Sequence, residues 1–186
     1  MDVSQLITII VAVALVFWFV IRVYNRLLAM RNKVRAAWSD VDVQLALRHD
    51  LVPNVVDSVK GYMLHERETL EAIAQARSAA IKSGADVAKR AEAETALSGA
   101  VKNLFAVAER YPELKASQNF LLLQEQLTTI ENRIAFARQR YNETVRQFNT
   151  SLAEFPRNLV AGVLGYAPEK MFDAEAQDRV PLRMTT

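Results

Sequence analysis

The chain has 186 residues, with 5 Gly, 5 Pro, no Cys and a formal net charge of +2 at pH 7. The missing thiols exclude disulfides, thiolate metal sites and a cysteine nucleophile. So small a charge makes no case for nucleic acid, and the length allows one domain with a real core.

From Val3 to Ile21 run 19 residues without a charge, among them IIVAVALVFWFVI. As a helix rising about 1.5 Å per residue, they span the roughly 30 Å hydrocarbon layer. A cleaved secretory signal needs a basic start, and this stretch begins with Asp2 instead. Seven apolar residues also follow the small pair Ala12 and Ala14. Residues 1–23 therefore read as an uncleaved anchor, with Trp18 and Phe19 at its exit. Arg22, Arg26, Arg31, Lys33 and Arg35 follow, with no acid before Asp40. That bias puts the N-terminus outside and everything after the span in the cytoplasm. The five cations either fix topology alone or also hold anionic lipid headgroups.

The remainder is rich in Ala, Leu, Arg, Glu and Gln, a helical composition. Apolar positions step by threes and fours through Tyr24, Leu27, Val34, Trp38, Val41 and Leu45. Pro53, in RHDLVPN, raises a choice. The stripe continues in phase through Val52, Val55, Val59 and Tyr62, as one kinked helix would require. A turn at 49–53 instead gives helices of about 25, 30, 23 and 38 residues, which pack with short loops. That balance favours the turn, with Asp50 as N-cap. Gly84 and Asp86 then mark a helix end and a new N-cap, and a third helix covers about 87–108 until Pro112 intervenes. The fourth carries a seam from Phe120 through Leu127, Ile134, Tyr141 and Phe148 to Phe155. Pro156 ends it, and a short apolar helix at about 157–164 follows.

The expected architecture is all-α: a single N-terminal transmembrane helix, then an up-down-up-down four-helix bundle with a short C-terminal helix. The bundle covers 24–155, a cap on its membrane-proximal end 156–172, and a flexible tail 173–186. In that topology YNRLLAMRN at 24–32 lies level with YNETVRQFN at 141–149. Tyr24, Asn25, Asn32, Tyr141, Asn142 and Asn149 then form an interhelical register lock, or else a polar ligand site at the bundle base.

Chemistry is sparse. Neither His has a Glu three residues before it, and HERET at 65–69 has Thr69 where a zincin needs its second His. There is no phosphate loop and no nucleophile elbow. The chain reads as a non-enzyme without metal or cofactor, and no aromatic platform supports nucleic-acid binding. Arg48, His49 and Asp50, beside the 111–116 loop, make a candidate partner-docking rim. Leu159, Val160, Val163, Leu164 and Tyr166 either close the bundle base, enter the lipid interface or meet another subunit.

Two long stretches, YNRLLAMRNKVRAAWSDVDVQLALRHDLVPNVVDSVKGYMLHERETL at 24–70 and ENRIAFARQRYNETVRQFNTSLAEFPRNLVAGVLGY at 131–166, together resemble the LemA family of bacterial membrane proteins. The resemblance covers nearly the whole chain. It implies an N-terminus outside the cytoplasmic (inner) membrane and a cytoplasmic bundle, but no defined activity or catalytic residues. Family members are often encoded beside membrane proteases or other membrane proteins, and one branch serves magnetosome membranes. By that analogy the expected function is a homo-oligomeric scaffold at the membrane, or an adaptor for a membrane protease or another membrane complex.

Overall fold

The structure is a computed structural model that describes residues 2–84 and 86–172. The tail expected at 173–186 lies outside the described residues. Among the described residues six helices follow in order: α1 Val3–Val59, α2 Arg67–Lys82, α3 Val87–Ala108, α4 Pro112–Lys115, α5 Gln118–Ala153 and α6 Arg157–Val163. Among the described residues there is no strand. The all-α architecture, with a long apolar helix at the N-terminus, is the one the sequence predicts.

The boundaries near α3 follow from local chemistry. Gly84 takes φ 71°, a left-handed conformation that costs a residue without Cβ little. Asp86 then caps α3, its carboxylate accepting from the backbone N–H of Ala88 (3.0 Å) and Lys89 (3.4 Å). Those two bonds, with Lys170 nearby, hold the Asp86 carboxyl below its ordinary value.

The turn expected at 49–53 does not form. α1 runs unbroken past Pro53 to Val59, and the chain reverses at 60–66, around Gly61. Proline has no N–H to give the carbonyl of His49, four residues before it. The Arg77 Nε, from α2, donates to that carbonyl at 2.7 Å. With its orphan acceptor filled from a neighbouring helix, the stripe Val41, Leu45, Arg48, Val52, Val55 and Val59 stays buried in one phase.

The described residues divide into two compact units, 2–39 with 140–169 and 40–139 with 170–172. The second is the bundle proper, made of α2, α3, α4 and segments of α1 and α5. Its core joins Val52, Val55, Val59 and Met63 to Ile73, Leu97, Leu104 and Leu127. Phe105 and Phe120 meet edge to face at 6.0 Å. In the first unit the remaining parts of α1 and α5 pack with α6. There Val23, Leu27 and Ala161 form a buried cluster flanked by Phe19, Leu152, Val160 and Tyr166. The apolar stretch of α1 is long enough to cross a membrane, and its most apolar window is only 6 % buried.

Candidate functional site

Two helix stripes that are otherwise apolar each carry one charge. On α1 it is Arg48, between Leu45 and Val52; on α3 it is Glu94, between Ala91 and Leu97. Stripe phase turns both inward, where an unpaired charge is costly. The two meet: Arg48 Nη2 donates to the Glu94 carboxylate and, at 3.3 Å, to the Glu94 backbone carbonyl. Its Nη1 donates to Ser98 Oγ at 2.5 Å and to Glu131 Oε1, on α5, at 2.7 Å. Arg90 lies 4.0 Å from Glu94 Oε1 and 3.1 Å from Asp42 Oδ1. The result is a chain of alternating charge, Asp42–Arg90–Glu94–Arg48–Glu131, that ties α1, α3 and α5 together.

His49 Nε2 approaches Glu94 Oε1 to 3.0 Å, an ion pair when the ring is protonated. Burial pushes the Glu94 carboxyl up, but the His49 hydrogen bond and the charges of Arg48 and His49 outweigh it and leave the group below its ordinary value. Glu131 keeps its side chain 31 % exposed. It lines a recess of about 350 Å³ with Ser98, Lys102 and Asn132 over Val101, Phe105 and Leu127.

A larger groove of about 570 Å³ lies between α1 and α5. Leu47, Leu51, Leu122 and Ile130 line it, with Asp50, Glu125 and Arg133 among its polar residues. Leu47 and Leu122 are exposed, at 43 % and 52 %.

In the first unit, a strap follows α6. Asn149 Nδ2 donates to the Glu169 carbonyl and the Glu169 N–H donates to Asn149 Oδ1, both at 2.9 Å. Arg31 pairs with the Glu169 carboxylate at 3.4 Å, and its guanidinium lies 5.7 Å from the centre of the Tyr166 ring. Tyr166 also meets Phe148 edge to face at 6.3 Å. Burial, with the Glu169 charge adding to it, pushes the Tyr141 hydroxyl up to about 12. Trp38 packs on the Tyr141 ring at 5.2 Å.

The structure distributes the residues singled out in the sequence. Tyr141 is buried and Asn142 and Asn149 are half-buried, while Tyr24, Asn25 and Asn32 are exposed; Val23 takes the inward position. The two Tyr-Asn stretches are therefore not equivalent, and Asn149 holds the strap instead of a matching Asn. Arg22, Arg26, Lys33 and Arg35 are exposed, whereas Arg31 serves Glu169. Arg48 and His49 do not stand on an exposed rim: with no turn at 49–53 they sit inside the bundle, 1 % and 7 % exposed. Asp50 remains exposed, in the α1/α5 groove. His65 lies in the 60–66 reversal. Val160 and Tyr166 are half-buried against Val23 and Leu27, while Leu159, Val163 and Leu164 face outward.

An all-helical fold with one apolar helix long enough to span a bilayer and a bundle closed on an internal charge chain defines a membrane-associated helical protein. Comparison with known proteins gives its kinship: the LemA family model matches residues 37–184, and the chain belongs to that family. It is 28 % identical over 166 residues to Protein LemA of Metamycoplasma hominis, covering 89 % of this chain and 76 % of the relative. Over 90 residues it is 26 % identical to magnetosome protein MamQ 2 of Paramagnetospirillum magneticum, and 22 % to magnetosome protein MamQ of Magnetospirillum gryphiswaldense. Each of those two alignments covers 48 % of this chain and 33 % of the relative.

Proposed function

We propose that this chain is a membrane-anchored helical scaffold, non-enzymatic, that acts by assembling with copies of itself in the bacterial cytoplasmic membrane. It crosses once, with the N-terminus outside and the helical units in the cytoplasm; the five cations after the uncharged stretch support that orientation. A carboxylate held below its ordinary value is a weak base at neutral pH. Glu94, clasped by Arg48, is suited to holding helices in register and poorly suited to moving protons.

The observation that carries self-assembly is the α1/α5 groove. It is apolar along Leu47, Leu51, Leu122 and Ile130 and bears both signs of charge, Asp50 and Glu125 against Arg133. A two-fold contact places the same surface on both sides, so only a patch with both signs can pair its own charges across it. The test uses the natural absence of cysteine. With Leu122→Cys as the sole thiol, oxidation of intact membranes is expected to give a disulfide-linked dimer, and Arg133→Glu to suppress it. Failure of Leu122→Cys to cross-link, and of Leu51→Cys likewise, contradicts the reading.

The second reading is an adaptor for a membrane protease or another membrane complex. The same groove favours it, since an apolar channel flanked by polar residues also fits one amphipathic helix of a partner. With a photoactivatable cross-linker attached to Leu122→Cys, it predicts adducts to a different chain and none between copies.

A further inference from the structure

α6 has two apolar faces, and only one is used. Its inner face places Ala161, 4 % exposed, with Val160 against Val23 and Leu27 of α1. On the outer face Leu159 and Val163, one turn apart, are 61 % and 88 % exposed, and Phe155 in the turn before them is 79 % exposed. No acid occurs from Phe155 to Pro168, and the one cation there, Arg157, is paired with Glu154 at 2.5 Å. A water-facing helix normally carries charge on its outer side; this one does not.

What covers that face follows from where α6 docks. Phe19 and Val23 lie beside its inner face, and the uncharged stretch of α1 ends between them, at Ile21. α6 is therefore alongside α1 at the level where a spanning helix leaves the hydrocarbon. From Phe19 to Leu27 the helix rises about 12 Å, which covers the boundary between acyl chains and headgroups. The surroundings suit that depth: Trp18 with Arg22 over its ring at 5.4 Å, Tyr166, and the exposed cations Arg26 and Lys33.

We propose that α6 is a second membrane contact, lying in the plane of the inner-leaflet interface with Phe155, Leu159 and Val163 inserted among the lipids. The chain is then held by one helix that crosses and one that lies flat. Two attachments fix the rotation of the first unit about α1, which a single span leaves free. The proposal requires α1 to cross the bilayer and is independent of self-assembly through the α1/α5 groove.

The test places single cysteines in the full-length chain at Val163, Leu159, Val16 and Ala106. Each is spin-labelled and reconstituted into phosphatidylethanolamine–phosphatidylglycerol vesicles, and accessibility to oxygen and to a water-soluble nickel chelate is compared. The expected result is loss of chelate accessibility at Val163 and Leu159 to the level seen at Val16, with Ala106 fully accessible. That pattern is expected to persist when labelled protein is diluted with unlabelled chain. Chelate accessibility at Val163 and Leu159 equal to Ala106 overturns the proposal. So does protection that comes with spin–spin broadening relieved by dilution, since a second copy would then be the cover. A water-accessible Val16 shows that α1 does not span and removes the premise, a failure distinct from the other two.

Discussion

Arg48 holds two carboxylates and a serine from inside the bundle, so its replacement exposes what a buried pair costs when only half remains. Arg48→Met leaves Glu94, 2 % exposed, without its main counter-charge. Urea unfolding of the full chain in mild detergent is expected to show a loss of about 3–5 kcal/mol. Glu131→Gln removes the partly exposed end of the same chain and is expected to cost about 1 kcal/mol. Glu94 also sets an acid limit. Its folded carboxyl titrates below its ordinary value of 4.5, so its contribution is complete above that value and is lost as pH falls through the depressed one. The acid limb of a stability profile should flatten in Glu94→Gln. Tyr141 acts at the other end: its hydroxyl ionises at 10.0 ordinarily and about 12 in the fold, so stability falls as pH rises from 10.0 towards 12. Ultraviolet titration should find Tyr141 ionising in that late range, reduced in Glu169→Gln only slightly because burial is the larger cause. The sequence does carry the Arg48–Glu94 signal, as opposite charges at buried phase on two helices. A turn at 49–53, with Arg48 on an exposed rim beside it, conceals that signal. The Asn149–Glu169 clasp had no such signal, because an Asn accepting from a distant backbone N–H leaves no spacing pattern.

At the level of elements, the lesson lies at Pro53. Its effect on a helix depends on whether something else satisfies the carbonyl four residues back, and here Arg77 comes from another helix to do so. Periodicity had the answer in the unbroken step of Val52, Val55 and Val59, whereas balancing helix lengths pointed the other way. The balance holds once the reversal is put at 60–66, since it applies within the bundle unit, where α2 and α3 have 16 and 22 residues. A double-mutant cycle tests the assignment. Arg77→Ala alone is expected to cost about 1–3 kcal/mol, the penalty for a buried acceptor left without a donor. In a Pro53→Ala background the helix supplies its own N–H, and the same change should cost less than about 1 kcal/mol. Equal costs in both backgrounds would show that Arg77 acts elsewhere. Helix ends with a local chemical cause were readable, since α3 starts at its Asp86 cap and α5 stops just before Pro156, whereas the single turn α4 begins at Pro112, where only a break was expected.

For the whole molecule, the pattern of exposure carries the functional reading. In the bundle interior Arg48, His49 and Glu94 are joined to one another, while apolar surface lies open along the start of α1, the outer face of α6 and the α1/α5 groove. In the proposed scaffold, these surfaces are where the chain meets lipid or another copy of itself. The long apolar helix at the N-terminus and the helical class were legible because hydropathy and heptad phase extend over dozens of residues. The groove was not, because a gap between two helices depends on side-chain sizes across both. The most direct measurement is the mass of the full-length chain in mild detergent by light scattering, repeated with Leu51 and Leu122 both changed to Asp. The scaffold account predicts a defined oligomer that those changes reduce to the monomer. A monomeric mass for the unaltered chain across the accessible concentration range would contradict it.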